Sequence, residues 1–300
     1  MNSIFCGNTP LITLEGIYVK CEHINPSGSV KDRIANYFFK KAEESGILHK
    51  GDTIVEASTG NTGIALSMVG AAKGYKVKIF VPKGLSEERY KIMKLLGAKL
   101  VFVPKDRTDI ARKKAQLLGK KNGFVHFDQF ANPWNDEEHE KGMGAEIISQ
   151  LKGKKIDAVV AGIGSGGTII GLTKAFRKVN SSVKAYGVEP MECSLVDSYL
   201  NNKSSRCGHH LIEGIADGFV PEIIKRNKNI LDGIIKVKSM DAVHEAQRIA
   251  RHNGMLVGIC SGANFLAAKK IMEEQKLKTV VTIFTDSGAR YLSEKWFCKF

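Results

Sequence analysis

Short apolar runs alternate with amphipathic stretches along almost the whole chain. The apolar runs predict strands because they are rich in valine and isoleucine and end at turn residues. The amphipathic stretches predict helices because their apolar residues recur every three or four positions. The predicted strands lie at 17–22, 53–56, 76–81, 99–103, 124–127, 156–160, 183–188, 234–237, 256–259 and 280–284. The predicted helices lie at 31–46, 64–73, 86–97, 108–120, 168–178, 240–253 and 263–274.

The regular order of strand and helix decides the fold class. Such alternation predicts an α/β protein in which mainly parallel, twisted sheets are flanked by helices and joined by right-handed crossovers. The pattern breaks at 131–135, before an acidic helix start at 136–138, which predicts a domain junction. We therefore predict a smaller domain at 25–135 and a larger domain made of residues 1–24 plus 136–300.

Composition and charge narrow the function classes. The 300 residues are 43% hydrophobic, which is enough for a real core. The formal charge of +14 is spread among acids and apolar residues, and no nucleic-acid-binding motif accompanies it. No apolar stretch of about 18 residues and no signal-peptide pattern is present in the sequence. We expect no nucleic-acid or membrane partner and a cytoplasmic location.

The cysteines give little sign of a metal site or a disulfide scaffold. They stand at positions 6, 21, 193, 207, 260 and 298. This spacing contains no CxxC pair, no metal-ligand pattern and no dense disulfide framework. The sequence therefore predicts no bound metal and a reducing compartment.

Three turns rich in glycine, serine and threonine stand between apolar runs and helical patterns, at 25–33, 58–63 and 162–168. Turns at helix N-termini present amide and hydroxyl groups to anions. The first turn leads to Lys31 in the first turn of a helix; alone, this would be an ordinary surface lysine. In open α/β sheets, loops that follow strands share one ligand cleft. A lysine with one cradle for a carboxylate and another for a phosphate indicates a pyridoxal phosphate (PLP) enzyme.

The sequence resembles the cysteine synthase and cystathionine β-synthase family of fold-type-II PLP enzymes, which are related to the tryptophan synthase β chain. An ordered set of motifs covers nearly the whole chain, whereas one glycine loop alone would be a weak signal. The matching segments are 7–11, 25–33, 56–65, 129–133, 162–168, 188–190, 214–221, 258–263 and 287–292.

The resemblance implies a role for individual residues. Lys31 would carry the internal aldimine and then act as general base on the α-proton. Asn61 would hydrogen-bond the phenolic oxygen of PLP. The smaller domain would be mobile and close over the substrate carboxylate. The implied phosphate cradle is Gly164, Ser165, Gly166, Gly167 and Thr168, and the implied substrate-binding residues are Ser58, Thr59, Thr62, Gln129 and Ala216.

Two departures from the family pattern stand out. Cys260 replaces the serine that meets the pyridine nitrogen, and a thiol is a weak donor and acceptor. An unprotonated ring nitrogen favours elimination over deeper quinonoid chemistry. Asp217 places a carboxylate near the substrate β-carbon, where the family has none. Asp217 could bind a neighbouring amide or the substrate amine, or it could orient an incoming nucleophile or hold a polar leaving group.

The implied reaction is β-replacement on an amino acid through an aminoacrylate. The first hypothesis is a cysteine synthase that joins an O-activated serine to sulfide. The alternative is a cysteine lyase that releases hydrogen sulfide and adds water or a thiol, giving serine or a thioether. A serine or threonine dehydratase would suit Cys260 but fits Gln129 less well, and intact Lys31 and Asn61 disfavour a catalytically silent homologue. The resemblance also implies a homodimer.

Overall fold

The computed structural model describes residues 5–105, 107–204 and 207–298. Its strands are β1 (Leu11–Leu14), β2 (Ile17–Cys21), β3 (Thr53–Ala57), β4 (Lys76–Pro82), β5 (Lys99–Val103), β6 (Phe124–His126), β7 (Ala158–Gly162), β8 (Lys184–Pro190), β9 (Gly233–Val237) and β10 (Val280–Phe284). Its α-helices are α1 (Lys31–Glu44), α2 (Asn61–Lys73), α3 (Glu87–Leu95), α4 (Thr108–Leu118), α5 (Pro133–Glu138), α6 (Gly144–Gln150), α7 (Gly167–Val179), α8 (Leu195–Leu200), α9 (Glu222–Arg226), α10 (Ser239–Asn253) and α11 (Ile259–Glu274).

The strands form two sheets. One is six-stranded with the order β1-β2-β10-β7-β8-β9, and the other is four-stranded with the order β5-β4-β3-β6. All neighbouring strands are parallel except β1 and β2, which pair antiparallel. The predicted α/β architecture of mainly parallel sheets flanked by helices is confirmed.

Both faces of the six-stranded sheet are buried. Val160 of β7 belongs to one hydrophobic cluster, while its neighbours Val159 and Ala161 belong to another on the opposite face. A strand covered on both faces needs apolar residues at successive positions rather than at alternate ones. This requirement explains why the core strands could be predicted from continuous apolar runs.

One predicted strand, 256–259, is wrong. Val257 makes only an isolated bridge to Ser287, and Ile259 begins α11, four residues before the predicted helix start. Short apolar runs do not distinguish a strand from the buried start of a helix. The elements β1, α8 and α9 were not predicted from the sequence.

The predicted domain junction falls inside a helical segment. Helix α5 begins at Pro133, and the Asn132 side chain accepts a hydrogen bond of 2.9 Å from the Trp134 amide as its N-cap. The strands of the smaller sheet lie between Thr53 and His126. The boundaries 25–135 and 1–24 plus 136–300 remain a prediction.

The sequence shows no sign of a dense disulfide framework and predicts a reducing compartment, and the structure contains one disulfide. The structure joins Cys193 and Cys207 in a disulfide and leaves the other four cysteines free. This single pair is not the dense framework that the sequence excluded, but the pairing itself was not predicted. Within the described ranges, no helix is long and apolar enough to span a membrane.

A buried ion cluster fixes the start of α1. Arg33 is 3% exposed and donates to Glu22 Oε2 at 2.7 Å and to Glu146 Oε1 at 2.8 Å. The ammonium of Lys20, also buried, lies 2.7 Å from Glu146 Oε2. Glu146 belongs to α6, so the cluster ties that helix to the turn and helix that carry Lys31.

We expect Glu146→Gln to lower the free energy of unfolding by about 2 kcal/mol at pH 7, because it leaves buried cations short of a charge partner. Burial alone would raise the pKa of Glu146, but hydrogen bonds and charge from Arg33, aided by Lys20, lower it to about 2 from an ordinary value of 4.5. The stabilisation is therefore present above about pH 4.5 and is lost as the pH falls towards 2.

Denaturant unfolding of both proteins at several pH values measures this difference. Glu274→Gln is the matched control, since Glu274 is exposed and its pair with Lys270 spans 3.9 Å. That control should change stability by less than about 0.5 kcal/mol. An equally small effect of Glu146→Gln would show that the cluster does not anchor α1.

Candidate active site

Lys31 is the first residue of α1 and faces a cavity between the two sheets. The preceding turn is held by Asp32, which accepts the Ser27 amide at 2.6 Å, and by the Val30 amide, which donates to the Thr285 carbonyl at 2.9 Å. Burial lowers the pKa of the Lys31 amine, although the nearby carboxylates of Asp217 and Asp286 act in the opposite sense. A lysine amine with a lowered pKa is easier to deprotonate and is a better nucleophile.

Most of the predicted site residues line this cavity. In the part of the chain that the structure describes, Ala216, Gly164, Gly166, Gly167 and Thr168 do not line it. The lining residues are Lys31, Ser58, Thr59, Asn61, Thr62, Gln129, Ser165, Gly214, Asp217, Cys260 and Thr285.

The glycine-rich loop after β7 leads into the N-terminus of α7. Gly166 has φ +86°, and a Cβ on Gly164 would lie 2.4 Å from the Gly214 carbonyl oxygen, so the loop requires glycine at both positions. Within the described residues, the structure records no acceptor for the Gly164, Ser165 and Gly166 amides. Free amides beside a helix N-terminus suit a phosphate, so the loop fits the phosphate of PLP.

We expect Gly166→Asp to weaken PLP binding by roughly a hundredfold or more, because a carboxylate would face the phosphate. A Cβ at this position would also lie 2.7 Å from Ile224 Cδ1. Titration of the apoenzyme with PLP measures the affinity.

Gly153→Asp is the matched control, because it also places an aspartate at a backbone position with a left-handed conformation. Gly153 has φ +84°, and a Cβ added there would meet no atom within 4 Å, so this change adds the same strain and charge far from the cavity. The control should bind PLP as the wild type does. Wild-type affinity in Gly166→Asp would place the phosphate elsewhere.

Asn61, the first residue of α2, is fixed by residues from the end of the chain. Its Nδ2 donates to Asp286 Oδ2 at 2.8 Å, and its Oδ1 accepts from the Arg290 guanidinium. Asp286 is fully buried and also accepts from the Tyr291 hydroxyl at 2.9 Å. The second hydrogen on Nδ2 remains for a ligand oxygen, which agrees with the expected contact to the cofactor ring.

The hydroxyl groups of the 58–63 loop have different surroundings. Ser58 Oγ accepts from the Gly60 amide at 3.0 Å and from the Gly63 amide at 2.9 Å, so it shapes the loop at the start of α2. Thr62 Oγ1 donates to Gln129 Oε1 at 2.5 Å. Thr59 instead reaches across the cavity. These contacts place the predicted carboxylate-binding residues together, but Ser58 has a clear structural function as well.

Asp217 lies opposite the 58–63 loop. Its Oδ1 accepts from Thr59 Oγ1 at 3.4 Å. Burial raises the pKa of the Asp217 carboxyl group, while His210 and Lys31 oppose the rise. The preceding residue, Ala216, does not reach the cavity, but its left-handed backbone with φ +54° directs Asp217 towards it. A carboxyl group with a raised pKa is a stronger base when ionised.

Cys260 stands at the start of α11, and its thiol is already engaged. The thiol donates to the Glu213 carbonyl at 2.9 Å. Burial, with the charge of Asp286, raises the pKa of Cys260 well above its ordinary value. The side chain therefore stays a neutral thiol, and its one proton is engaged by the Glu213 carbonyl.

Sequence reasoning missed Thr285, which lines the cavity, and two polar residues near it, Arg89 and Asp286. Arg89 of α3 is 1% exposed, pairs with Glu213 and lies 4.8 Å from the centre of the Tyr291 ring. Its position on an ordinary amphipathic helix gave no sign of this burial. Asp286 directly precedes the segment 287–292, and a carboxylate at the end of the apolar strand β10 was the available signal.

Comparison with known proteins agrees with this geometry. The family model described as "Pyridoxal-phosphate dependent enzyme" matches residues 3–286. A cysteine synthase of Staphylococcus aureus (strain N315) is 42% identical over 297 residues, which cover 96% of this chain and 93% of the relative. Cysteine synthase A of Escherichia coli (strain K12) is 36% identical, with coverage of 99% and 94%.

Three solved structures share the fold of this chain along most of its length. A cysteine synthase of Entamoeba histolytica has a TM-score of 0.88 at 35% identity, covering 98% of this chain and 89% of that one. A hydrogen sulfide-producing enzyme of Fusobacterium nucleatum has a TM-score of 0.86 at 37% identity, with coverage of 94% and 84%. An O-acetylserine dependent cystathionine β-synthase of Helicobacter pylori has a TM-score of 0.88 at 34% identity, with coverage of 97% and 96%.

Fold, cavity and relatives together define a PLP-dependent enzyme that carries out β-replacement through an aminoacrylate. The chain belongs to the pyridoxal-phosphate dependent enzyme family, within the group of cysteine synthases and cystathionine β-synthases. The resemblance and the fold class predicted from the sequence are both confirmed. The roles of the individual site residues remain predictions.

Proposed function

We propose that this enzyme forms cysteine from an O-activated serine and sulfide, as a cysteine synthase does. The observation that carries the proposal is the hydrogen bond of 2.9 Å from the Cys260 thiol to the Glu213 carbonyl. A Cys260 thiol whose proton is engaged there would leave a pyridine nitrogen unprotonated, and this favours elimination and addition at the β-carbon over deeper quinonoid chemistry. The names of the relatives support the same activity.

Different residues of the cavity would remove the α-proton and bind the substrate carboxylate. The bound cofactor supplies an electron sink that stabilises a negative charge on the substrate α-carbon. The Lys31 amine takes the α-proton, and its lowered pKa lets it act as a base. The amides of Thr59, Asn61 and Thr62, for which the described residues show no acceptor, bind the substrate carboxylate. The Gln129 side chain accepts from Thr62 and so holds this end of the loop.

Asp217 favours a second candidate, a cysteine lyase that releases hydrogen sulfide and adds water or a thiol. Its carboxylate shares the cavity with Lys31 and is held by Thr59. A negative charge there repels an incoming sulfide anion but orients a neutral water by accepting its proton. A solved relative is described as a hydrogen sulfide-producing enzyme, which supports this second candidate.

The remaining hypotheses have less support. A serine or threonine dehydratase needs no addition step, and the contact of Gln129 with the 58–63 loop fits the synthase branch better. A catalytically silent homologue would have no reason to keep Lys31 in the cavity. A homodimer and a cytoplasmic location remain predictions.

Incubation with O-acetylserine, O-phosphoserine, serine and cysteine separately, each with and without sulfide, tests the proposal. A cysteine synthase forms cysteine from an O-activated serine and sulfide. A cysteine lyase releases sulfide from cysteine and gives serine or a thioether. Pyruvate formed from serine without a replacement product would overturn both in favour of a dehydratase.

A further inference from the structure

The Cys193–Cys207 disulfide lies beside the loop that carries Asp217, and the proposed function does not use it. Cys193 is fully buried after the end of β8, whereas Cys207 is exposed. A small nucleophile can therefore reach the disulfide at the Cys207 sulfur, with Cys193 as the leaving group. An isolated disulfide in a reducing compartment is more often a redox sensor than a scaffold.

The Ala216 carbonyl oxygen connects this disulfide to the active site. The Cys193 sulfur lies 3.9 Å from that oxygen, and His210 Nε2 donates to it at 3.2 Å. Ala216 has φ +54°, a left-handed conformation that persists in a non-glycine residue only when its surroundings hold it. Since Asp217 follows directly, the contacts that hold Ala216 also hold the carboxylate against Thr59.

His210 also provides a partner for a thiol. The sulfurs of Cys193 and Cys207 and a ring nitrogen of His210 all lie within 4.8 Å of one another. In the tautomer that donates from Nε2, Nδ1 is an acceptor, and this buried atom has no hydrogen-bond partner among the described residues. A thiol at Cys193 could donate to the Ala216 carbonyl oxygen, 3.9 Å from its sulfur. The surroundings therefore accommodate the reduced pair as well as the disulfide.

We propose that Cys193 and Cys207 form an exchange site for small thiolates, and that the state of this pair sets how firmly Asp217 is held. Hydrosulfide is the small thiolate that the active site consumes or releases, so the choice of this reactant rests on the proposed function. Its sulfur bonds to the Cys207 sulfur, the disulfide bond breaks, and Cys193 leaves as a thiolate that takes a proton from water.

The electrons balance within this exchange. The hydrosulfide sulfur is oxidised as it becomes the outer sulfur of a persulfide on Cys207, and the Cys193 sulfur is reduced. A second hydrosulfide attacks that outer sulfur, releases the Cys207 thiolate and leaves as hydrodisulfide. Both cysteines are then free thiols, and no further oxidant or reductant is needed.

Reduction breaks the covalent link between the exposed Cys207 and the buried Cys193. The segment around Cys207 then keeps its backbone bond from the Gly208 amide to the Glu192 carbonyl at 2.9 Å but loses the covalent tie to Cys193. His210 and Ala216 become freer, and Asp217 with them. Sulfide release from cysteine should fall about fivefold or more, the scale of an ordinary coupling between two sites. Accumulating sulfide would thus limit its own production.

The test compares the oxidised holoenzyme with the same protein treated with sodium hydrosulfide and then desalted. Mass spectrometry after alkylation under denaturing conditions should show four labelled cysteines before treatment and all six afterwards, with or without one added sulfur. Hydrogen exchange of the peptide that contains 214–218 should be faster in the reduced protein. Sulfide release from cysteine should fall about fivefold or more.

Two variants separate the exchange site from general thiol effects. Cys207→Ser should show the lower rate and faster exchange permanently, with no response to hydrosulfide. Cys298→Ser, which removes a free and partly buried cysteine, should respond as the wild type does. Unchanged labelling, identical hydrogen exchange in the two states, or a persisting response in Cys207→Ser would overturn the proposal. The rate readout depends on the cysteine lyase candidate. If that candidate fails, sulfide release from cysteine would be absent while the expected changes in labelling and exchange are still present.

Discussion

Lys31→Ala is expected to lower the rate of β-replacement by roughly a thousandfold, because it removes the base that takes the substrate α-proton. The fold should survive. Lys31 makes no ion pair among the described residues, and its neighbour Arg33 holds the start of α1 through the buried cluster. Steady-state rates with O-acetylserine and sulfide, together with circular dichroism, measure both effects.

Lys40→Ala is the control for this change. Lys40 lies on the same helix, its side chain is 65% exposed, and its pair with Glu44 spans 4.0 Å. This variant should keep the wild-type rate. A Lys31→Ala protein that is folded and retains most of its activity would remove Lys31 from the mechanism.

Asp217→Asn is expected to lower sulfide release from cysteine by about a hundredfold while leaving cysteine formation unchanged or faster. An amide cannot accept a proton from water, but its oxygen can still accept the Thr59 hydrogen bond. The lost charge also removes the repulsion of an incoming sulfide anion. Both reactions are to be assayed on the same protein preparations.

The dependence of the sulfide-release rate on pH tests specifically whether Asp217 acts as a base. Burial raises the pKa of Asp217, so the ionised form builds up only above the ordinary range of an aspartate. Sulfide release by the wild type should rise with pH through this pKa, and Asp217→Asn should lose that limb. Asp241→Asn, a change at an exposed position on α10, should alter neither rate. Unchanged rates in Asp217→Asn would make Asp217 a structural residue.

The features that could be predicted from the sequence are local ones. Continuous apolar runs identified most core strands, because a parallel sheet covered on both faces needs such runs. The three turns were found because each is rich in glycine and hydroxyl residues and stands between an apolar run and a helical pattern. These signals lie within single segments, so they needed no knowledge of which segments meet.

The features that escaped prediction depend on contacts between distant segments. The pair of Asn61 with Asp286 joins residues 225 positions apart, and the disulfide joins residues 14 positions apart across a polar loop. Arg89 looked like a surface residue of an amphipathic helix, yet it is buried against Glu213. Periodicity reports which face of an element is buried but not which polar partner it meets.

The central expectation is that PLP is joined to Lys31 in the cavity between the two sheets. Borohydride reduction of the purified holoenzyme, followed by proteolysis and mass spectrometry of the peptides, tests this most directly. We expect one phosphopyridoxyl group per chain, on the peptide that contains Lys31. A group on a different lysine, or no modified peptide from a protein that contains PLP, would contradict this assignment.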